Sequence, residues 1–195
     1  MSHTNSKENN LCFLSCPAPS LEEAWIQTYS GKKFSPINPK IEDINIEDIA
    51  HSLSMQCRFN GHIEDFYSVA QHSVLVSYFC DKKDALSGLL HDASEAYICD
   101  IPSPLKKTQQ FSQYREIERK LQALINVKFG LPEEDPESVK LADQLLLTLE
   151  AKSLLTHIRE DWKLPNSNIP IKIIAMSPKE SKLIFMERFH ELTNK

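Results

Sequence analysis

The chain has 195 residues, a formal net charge of −5, and 41% apolar and 25% charged residues, ordinary globular usage at a length that suits one domain with one substantial core. It holds no apolar run near the roughly 18 residues that a membrane span requires, so no membrane association is expected. The acidic balance excludes a protein that coats duplex nucleic acid, which needs clustered Lys and Arg to release counterions, but leaves a small anionic ligand open.

In chain order, residues 1–24 read as a flexible extension and residues 25–195 as the folded domain. The opening MSHTNSKENN is polar and acid-containing, and the LCFL after it lacks the basic leader and long apolar stretch of a secretory signal, so a cytoplasmic location is expected. IQTYSGKKF reads as a short β-hairpin turned at Ser30-Gly31. From Asn45, placed to cap, Ile46, Ile49, Ala50 and Leu53 recur at helical spacing. A second helix is expected over about Ser68 to Phe79 and a third over about Ala85 to Tyr97. IPSPLK, with its two prolines, reads as a turn or extended link. A fourth helix spans about Ser112 to Lys128 and stops at Gly130, and a fifth starts at Asp135-Pro136 and runs through LADQLLLTLEAKSLL. PIKIIAM reads as a short strand. Ser177-Pro178-Lys179-Glu180 is a capping box opening a last helix to about Leu192. The fold class is all-α, with a small N-terminal β-hairpin or extension.

Glycines and cysteines narrow the chemistry. The four glycines lie far apart, so neither a dinucleotide fingerprint nor a Walker A loop can be written, and any phosphate must be held by side chains or a metal. The five cysteines, odd in number and irregularly spaced, suit reduced thiols better than a disulfide framework. Cys12 and Cys16 lack the second close pair that a structural zinc site needs.

The informative polar residues are His72, His91, Asp92 and Asp143, drawn from three expected helices. His72 shares a stripe with Val69, Val76 and Phe79 and so points inward, where an imidazole needs a partner. On the third helix, Leu86, Leu89, Leu90, Ala93 and Tyr97 share one face, while His91, Asp92 and Glu95 share the other with Gly88 among them. A solvated face ordinarily mixes charge signs, and this one carries no Lys or Arg. Asp143 stands at the margin of a leucine-rich stripe, where an unpaired carboxylate is costly. Two imidazoles and two carboxylates form a mixed N/O set that suits a divalent metal ion, whether Mn, Co, Ni, Fe, Zn or Mg.

LLHDASEAYICDIPSPLK, with an upstream histidine in YSVAQHSVLVS, CRFNGH before it and LADQ downstream, closely resembles the histidine-aspartate (HD) phosphohydrolases over roughly residues 25 to 190. The bacterial 5′-deoxynucleotidases and small phage and prophage HD phosphohydrolases are the most similar. The resemblance implies an all-helical HD bundle with metal ligands His72, His91, Asp92 and Asp143. It implies that Glu95 positions or activates the attacking water, that Asp100 serves the leaving oxygen, and that Arg58 grips phosphate as a planar donor fork. Lys106 adds a second cation to the substrate site, and His62 and Gln71 are weaker candidates there. His51, His157 and His190 carry no signal.

Within that superfamily Ala96 stands where guanosine tetraphosphate hydrolases place a second acid, and no GYP-type motif is present. HDASE with the D-x-P-x-P element favours release of phosphate from deoxynucleoside 5′-monophosphates. Phe59 stands where the deoxynucleotidase pattern has Trp, which keeps a triphosphohydrolase of the dATPase type open. A catalytically silent nucleotide-binding module would have lost a ligand or an acid, and none is lost. The expected partner is a small-molecule nucleotide, with no nucleic acid, and the long apolar stripes suit a homo-oligomer.

Overall fold

In the computed structural model, residue 20 and residues 24–194 are described. Cys12, Cys16 and most of the 1–24 extension lie outside the described residues. β1 (Ile26–Gln27) pairs antiparallel with β2 (Lys33–Phe34), Ile26 opposite Phe34. Gly31, at φ 82°, makes the turn between them. The remainder is mostly helical: α1 (Ile46–Met55), α2 (Val69–Phe79), α3 (Ala85–Leu90), α4 (Glu95–Ile98), α5 (Ser103–Lys106), α6 (Ser112–Phe129), α7 (Glu137–Leu154) and α8 (Pro178–Thr193). Among the described residues no helix is long and apolar enough to cross a membrane.

The helix ends follow the capping chemistry. The Asn45 side chain accepts from Glu47 N and that of Ser68 from Gln71 N. Gly130, left-handed at φ 67°, closes α6 while Leu131 N donates to Asn126 O. Ser177 and Glu180 complete the capping box of α8. α2 is central, touching α1, α3, α7 and α8, and it separates two apolar clusters. One gathers Phe34, Ile49, Leu53, Leu89, Leu121 and Phe185. The other gathers Tyr67, Val76, Val139, Leu146 and Leu149.

Three expectations are corrected. The single helix over 85–97 is broken: α3 stops at Leu90 and α4 starts at Glu95, with tighter i→i−3 bonds between them, Ala93 N to Leu90 O (3.0 Å) and Glu95 N to Asp92 O (3.0 Å). The cause is Gln122 of α6. Its Oε1 accepts from Ser94 N (3.0 Å) and its Nε2 donates to Leu90 O (2.8 Å), the two groups that an unbroken helix would join to each other. The link IPSPLK contains the one-turn helix α5, with Pro104 in an early position where its missing N–H costs nothing. PIKIIAM is not a strand. Its backbone is held by side chains instead: Gln71 Nε2 donates to Ile174 O (2.8 Å), Met176 N donates to Gln71 Oε1 (2.9 Å), and Ile173 N donates to Ser153 Oγ (3.0 Å).

Candidate metal centre

α2, α7 and the break between α3 and α4 bring four separated side chains to one place. His72 stands on α2 at 0% exposure. Asp143 and Glu150 are seven residues apart on α7, two turns along one face. His91 and Asp92 lie in the break itself, so the splice made by Gln122 is what aims them. His72 Nε2 lies 3.2 Å from Asp143 Oδ1 and 3.8 Å from Asp92 Oδ2, and His91 Nε2 lies 3.2 Å from Asp92 Oδ2. One ligand atom from each of His72, His91 and Asp92 falls within 4.8 Å of the others, so these three form a cluster able to hold a metal ion, with Asp143 adjoining it through His72.

The hydrogen bonds decide which ring nitrogens are free. His72 Nδ1 is 2.6 Å from Glu150 Oε1 and His91 Nδ1 is 2.9 Å from Gly88 O. A carboxylate and a carbonyl only accept, so both δ nitrogens carry hydrogen, and in the neutral rings the lone pairs lie on the ε nitrogens. Those ε nitrogens are buried and neither makes an aligned hydrogen bond, despite the nearby carboxylate oxygens. Histidines anchored at one nitrogen and bare at the other are the pattern of metal ligands held by an outer partner.

Electrostatics favours a cation here. Burial alone would lower the pKa of His91, but Asp92 against it and Asp143 beyond push it up to about 10. Burial alone would raise Asp92, yet His91, His72 and Arg58 hold its carboxyl well below the usual range. Burial opposes ionisation of Glu150 too, and Arg58 and His72 keep it low. Asp92, Asp143 and Glu150 are balanced by Arg58 together with the protonated rings of His91 and His72, so a divalent ion would take the place of the ring protons on the ε nitrogens.

Around this cluster the remaining residues fall in different places. Arg58 follows a pinched loop base, Val69 N to Gln56 O and Arg58 N to Tyr67 O. Phe59 and Asn60 after it take left-handed backbone at φ 53° and 52°, a strain of the kind stored at functional sites. Its Nε donates to Glu150 Oε2 (3.1 Å) and its Nη1 is 3.8 Å from Asp92 Oδ2, so the guanidinium stands beside the cluster. Glu95 is buried with Oε2 unpartnered, and burial together with Asp92 and Asp100 raises its pKa well above the ordinary value. Asp100 is held by its backbone N, which donates to Gln56 Oε1 (3.1 Å), while Gln56 Nε2 donates to Glu95 O (3.0 Å).

Other candidates are committed elsewhere. Lys106 is bound by Glu118 (2.6 Å) and by Glu95 (3.4 Å), which makes it a partner of the acid and not a free phosphate contact. Both ends of the Gln71 amide are engaged by the 174–176 backbone, which gives this buried side chain a structural role. His62 lies exposed at the end of the Arg58 turn, with no side-chain hydrogen bond to the cluster. Gly88 does not face the His72, His91 and Asp92 cluster. It lets α3 approach α2, and a Cβ there would meet Cys80 Sγ at 2.9 Å and Ser77 Cα at 3.2 Å.

Sequence reasoning missed Glu150, Tyr67 as its donor, and Gln122. Glu150 had a signal, since it repeats the Asp143 position two turns on, beside the apolar stripe of Val139, Ala142, Leu146 and Leu149. An open groove of about 570 Å3 runs past Glu95, lined also by Tyr29, His51, Ser52, Gln56 and Cys99. Tyr29 and His51 stack in it at 3.7 Å.

No protein-family model matches the chain. The protein named YfdR of Escherichia coli (strain K12) is 40% identical over 174 residues, covering 87% of this chain and 96% of that protein. The protein RCAP_rcc00048 of Rhodobacter capsulatus is 35% identical over 147 residues, covering 69% of this chain and 74% of that protein. Neither name states an activity, so a functional reading has to rest on the site.

Proposed function

The chain belongs to the family of the Escherichia coli protein YfdR, and we propose that it is a metal-dependent phosphohydrolase of the HD type that releases phosphate from deoxynucleoside 5′-monophosphates. The observation that carries this reading is the pair of buried, bare ε nitrogens of His72 and His91 facing Asp92, each histidine fixed through its δ nitrogen. His72, His91, Asp92 and Asp143 would hold the ion, whose identity within the Mn, Co, Ni, Fe, Zn and Mg group is left to experiment. When bound, such an ion supplies positive charge to a phosphoryl oxygen and acidifies water.

The chain's own residues supply the rest. Arg58, held beside Asp92, offers its terminal nitrogens to phosphate oxygens in a planar fork that lysine does not reproduce. Glu95, with its pKa raised by burial and by Asp92 and Asp100, is suited to exchange a proton above the ordinary carboxylate range. Asp100 neighbours Glu95 and is assigned to the leaving oxygen. The groove past Glu95 falls within the size range of small-molecule sites, and although the metal cluster and Arg58 are not part of its lining, its shared residue Glu95 makes it our candidate place for the nucleoside. Charge favours one phosphoryl group over three: Lys106 is already neutralised by Glu118 and Glu95, which leaves Arg58 to complement the ion.

The test is phosphate release from a nucleotide panel with added Mn or Co, with products from dAMP and dATP identified by mass spectrometry. Free phosphate from dAMP is expected, and Asp92→Ala is expected to lower the rate by about three orders of magnitude, the scale on which removal of a catalytic group acts. Triphosphate from dATP with no turnover of dAMP would shift the substrate to the triphosphate branch. Activity unchanged in Asp92→Ala would remove the site.

A further inference from the structure

Glu150 is the deepest charge in the network, at 0% exposure, and no part of the proposed chemistry touches it directly. Its two oxygens nonetheless accept from three donors. Oε1 receives His72 Nδ1 at 2.6 Å and Tyr67 Oη at 2.8 Å, and Oε2 receives Arg58 Nε at 3.1 Å. These donors come from α2, from the residue ahead of its cap, and from the strained turn at Arg58. A buried carboxylate persists only when it is paired and fully hydrogen-bonded, and here every partner is itself a site residue or borders one.

We infer that Glu150 is a positioning residue that ties cation binding to phosphate binding, fixing the His72 tautomer with one oxygen and the Arg58 guanidinium with the other. This rests on the reading of the site as a metal-dependent phosphohydrolase. A carboxylate cannot donate, so it compels His72 to keep its hydrogen on Nδ1, and the neutral ring that binds a cation then has its lone pair on Nε2. The same carboxylate holds Arg58 Nε, which turns the terminal guanidinium nitrogens toward Asp92 and away from solvent.

Glutamine at 150 keeps the shape and breaks the logic. Its amide has one accepting oxygen and one NH2 group. With the oxygen toward His72 and Tyr67, the NH2 faces the Arg58 donor and frees the guanidinium from its anchor. With the amide reversed, His72 must move its hydrogen to Nε2 to receive the NH2, and its ligand lone pair is gone. Either orientation loses one of the two functions.

The experiment is calorimetric titration of metal-free protein with Mn, followed by titration of the Mn-loaded protein with inorganic phosphate, for the wild type and for Glu150→Gln. We expect at least one of the two affinities to fall by about 10–100-fold, the usual consequence of losing an outer partner of a ligand. Both affinities staying within about threefold of wild type in a folded Glu150→Gln would overturn the inference. Because that variant can fail to fold, the zinc-loaded wild type labelled with 15N-histidine provides a second reading. A hydrogen on Nδ1 of His72 supports the assignment, and a bare Nδ1 overturns it. Both measurements are independent of turnover: a Glu150 effect on Mn and phosphate without nucleotide hydrolysis would retire the hydrolase reading and leave the coupling in place.

Discussion

The two walls of the candidate metal centre are built on opposite plans. On one side α2 and α7 are regular, long helices, and they present His72, Asp143 and Glu150 from uninterrupted stripes. On the other side the chain breaks between α3 and α4, and His91, Asp92 and Glu95 stand in or beside the break. The anchors differ in the same sense. His72 is fixed by Glu150, 78 positions away, whereas His91 is fixed by the carbonyl of Gly88, three positions away. The regular wall depends on a distant side chain for its chemistry, while the broken wall depends on a distant side chain, Gln122, for its backbone.

The largest expected effect falls on the broken wall. Glu95→Gln should lower kcat by about 10²–10⁴, the range of a lost general acid or base, with Mn affinity retained by His72, His91 and Asp92. It should also remove the limb of the pH profile that burial and the neighbouring Asp92 and Asp100 place above the ordinary carboxylate range. Steady-state kinetics against pH measure both. A full-rate Glu95→Gln would leave the two walls sharing only ligands and no proton chemistry.

Gln122→Leu sharpens the comparison next. It orphans Ser94 N and Leu90 O or lets them rejoin as an unbroken helix. The first outcome costs about 1–3 kcal/mol for each buried group left unsatisfied. The second turns Asp92 away from His72. Either way Mn affinity should fall more than in any substitution on the α7 surface far from the site, and calorimetry with thermal unfolding separates the two. Unchanged stability and Mn binding would mean that the break is intrinsic to residues 91–94.

What was legible in the sequence tracks these same distances. The caps at Asn45, Ser68, Gly130 and Ser177 and the hairpin at Gly31 are local devices, and the structure forms each where the residues call for it. The inward stripe that placed His72 is likewise local. The break after Leu90 was not legible, because residues 85–97 have good helical periodicity and the group that interrupts it arrives from α6. The structural partners of Gln71 were not legible for a similar reason: they lie 103 and 105 positions later, in a segment whose apolar run looks like a strand. Lys106 looked like a free cation until α6 supplied Glu118.

The smallest expected effect concerns Gly88, where the two walls meet. A Cβ there would lie 2.9 Å from Cys80 Sγ, 3.2 Å from Ser77 Cα and 3.3 Å from Ser77 N. The sulfur belongs to a side chain that can yield, but the Ser77 backbone, in the last turn of α2, is pinned by Arg188 Nη2 donating to its carbonyl (3.1 Å) and yields less. Gly88→Ala should therefore push α3 outward, at about 1–3 kcal/mol for overpacking, or a fall in Tm of about 2–12 °C at this chain length. The carbonyl that holds His91 Nδ1 moves with it, so Mn affinity should weaken alongside Tm. Adding Cys80→Ala tests which contact matters. Removing the sulfur relieves the shortest contact alone, so rescue of less than half the lost Tm is expected if the α2 backbone sets the limit. Full rescue would place the constraint in the cysteine side chain, and the close approach of α3 to α2 would then have no part in aiming His91.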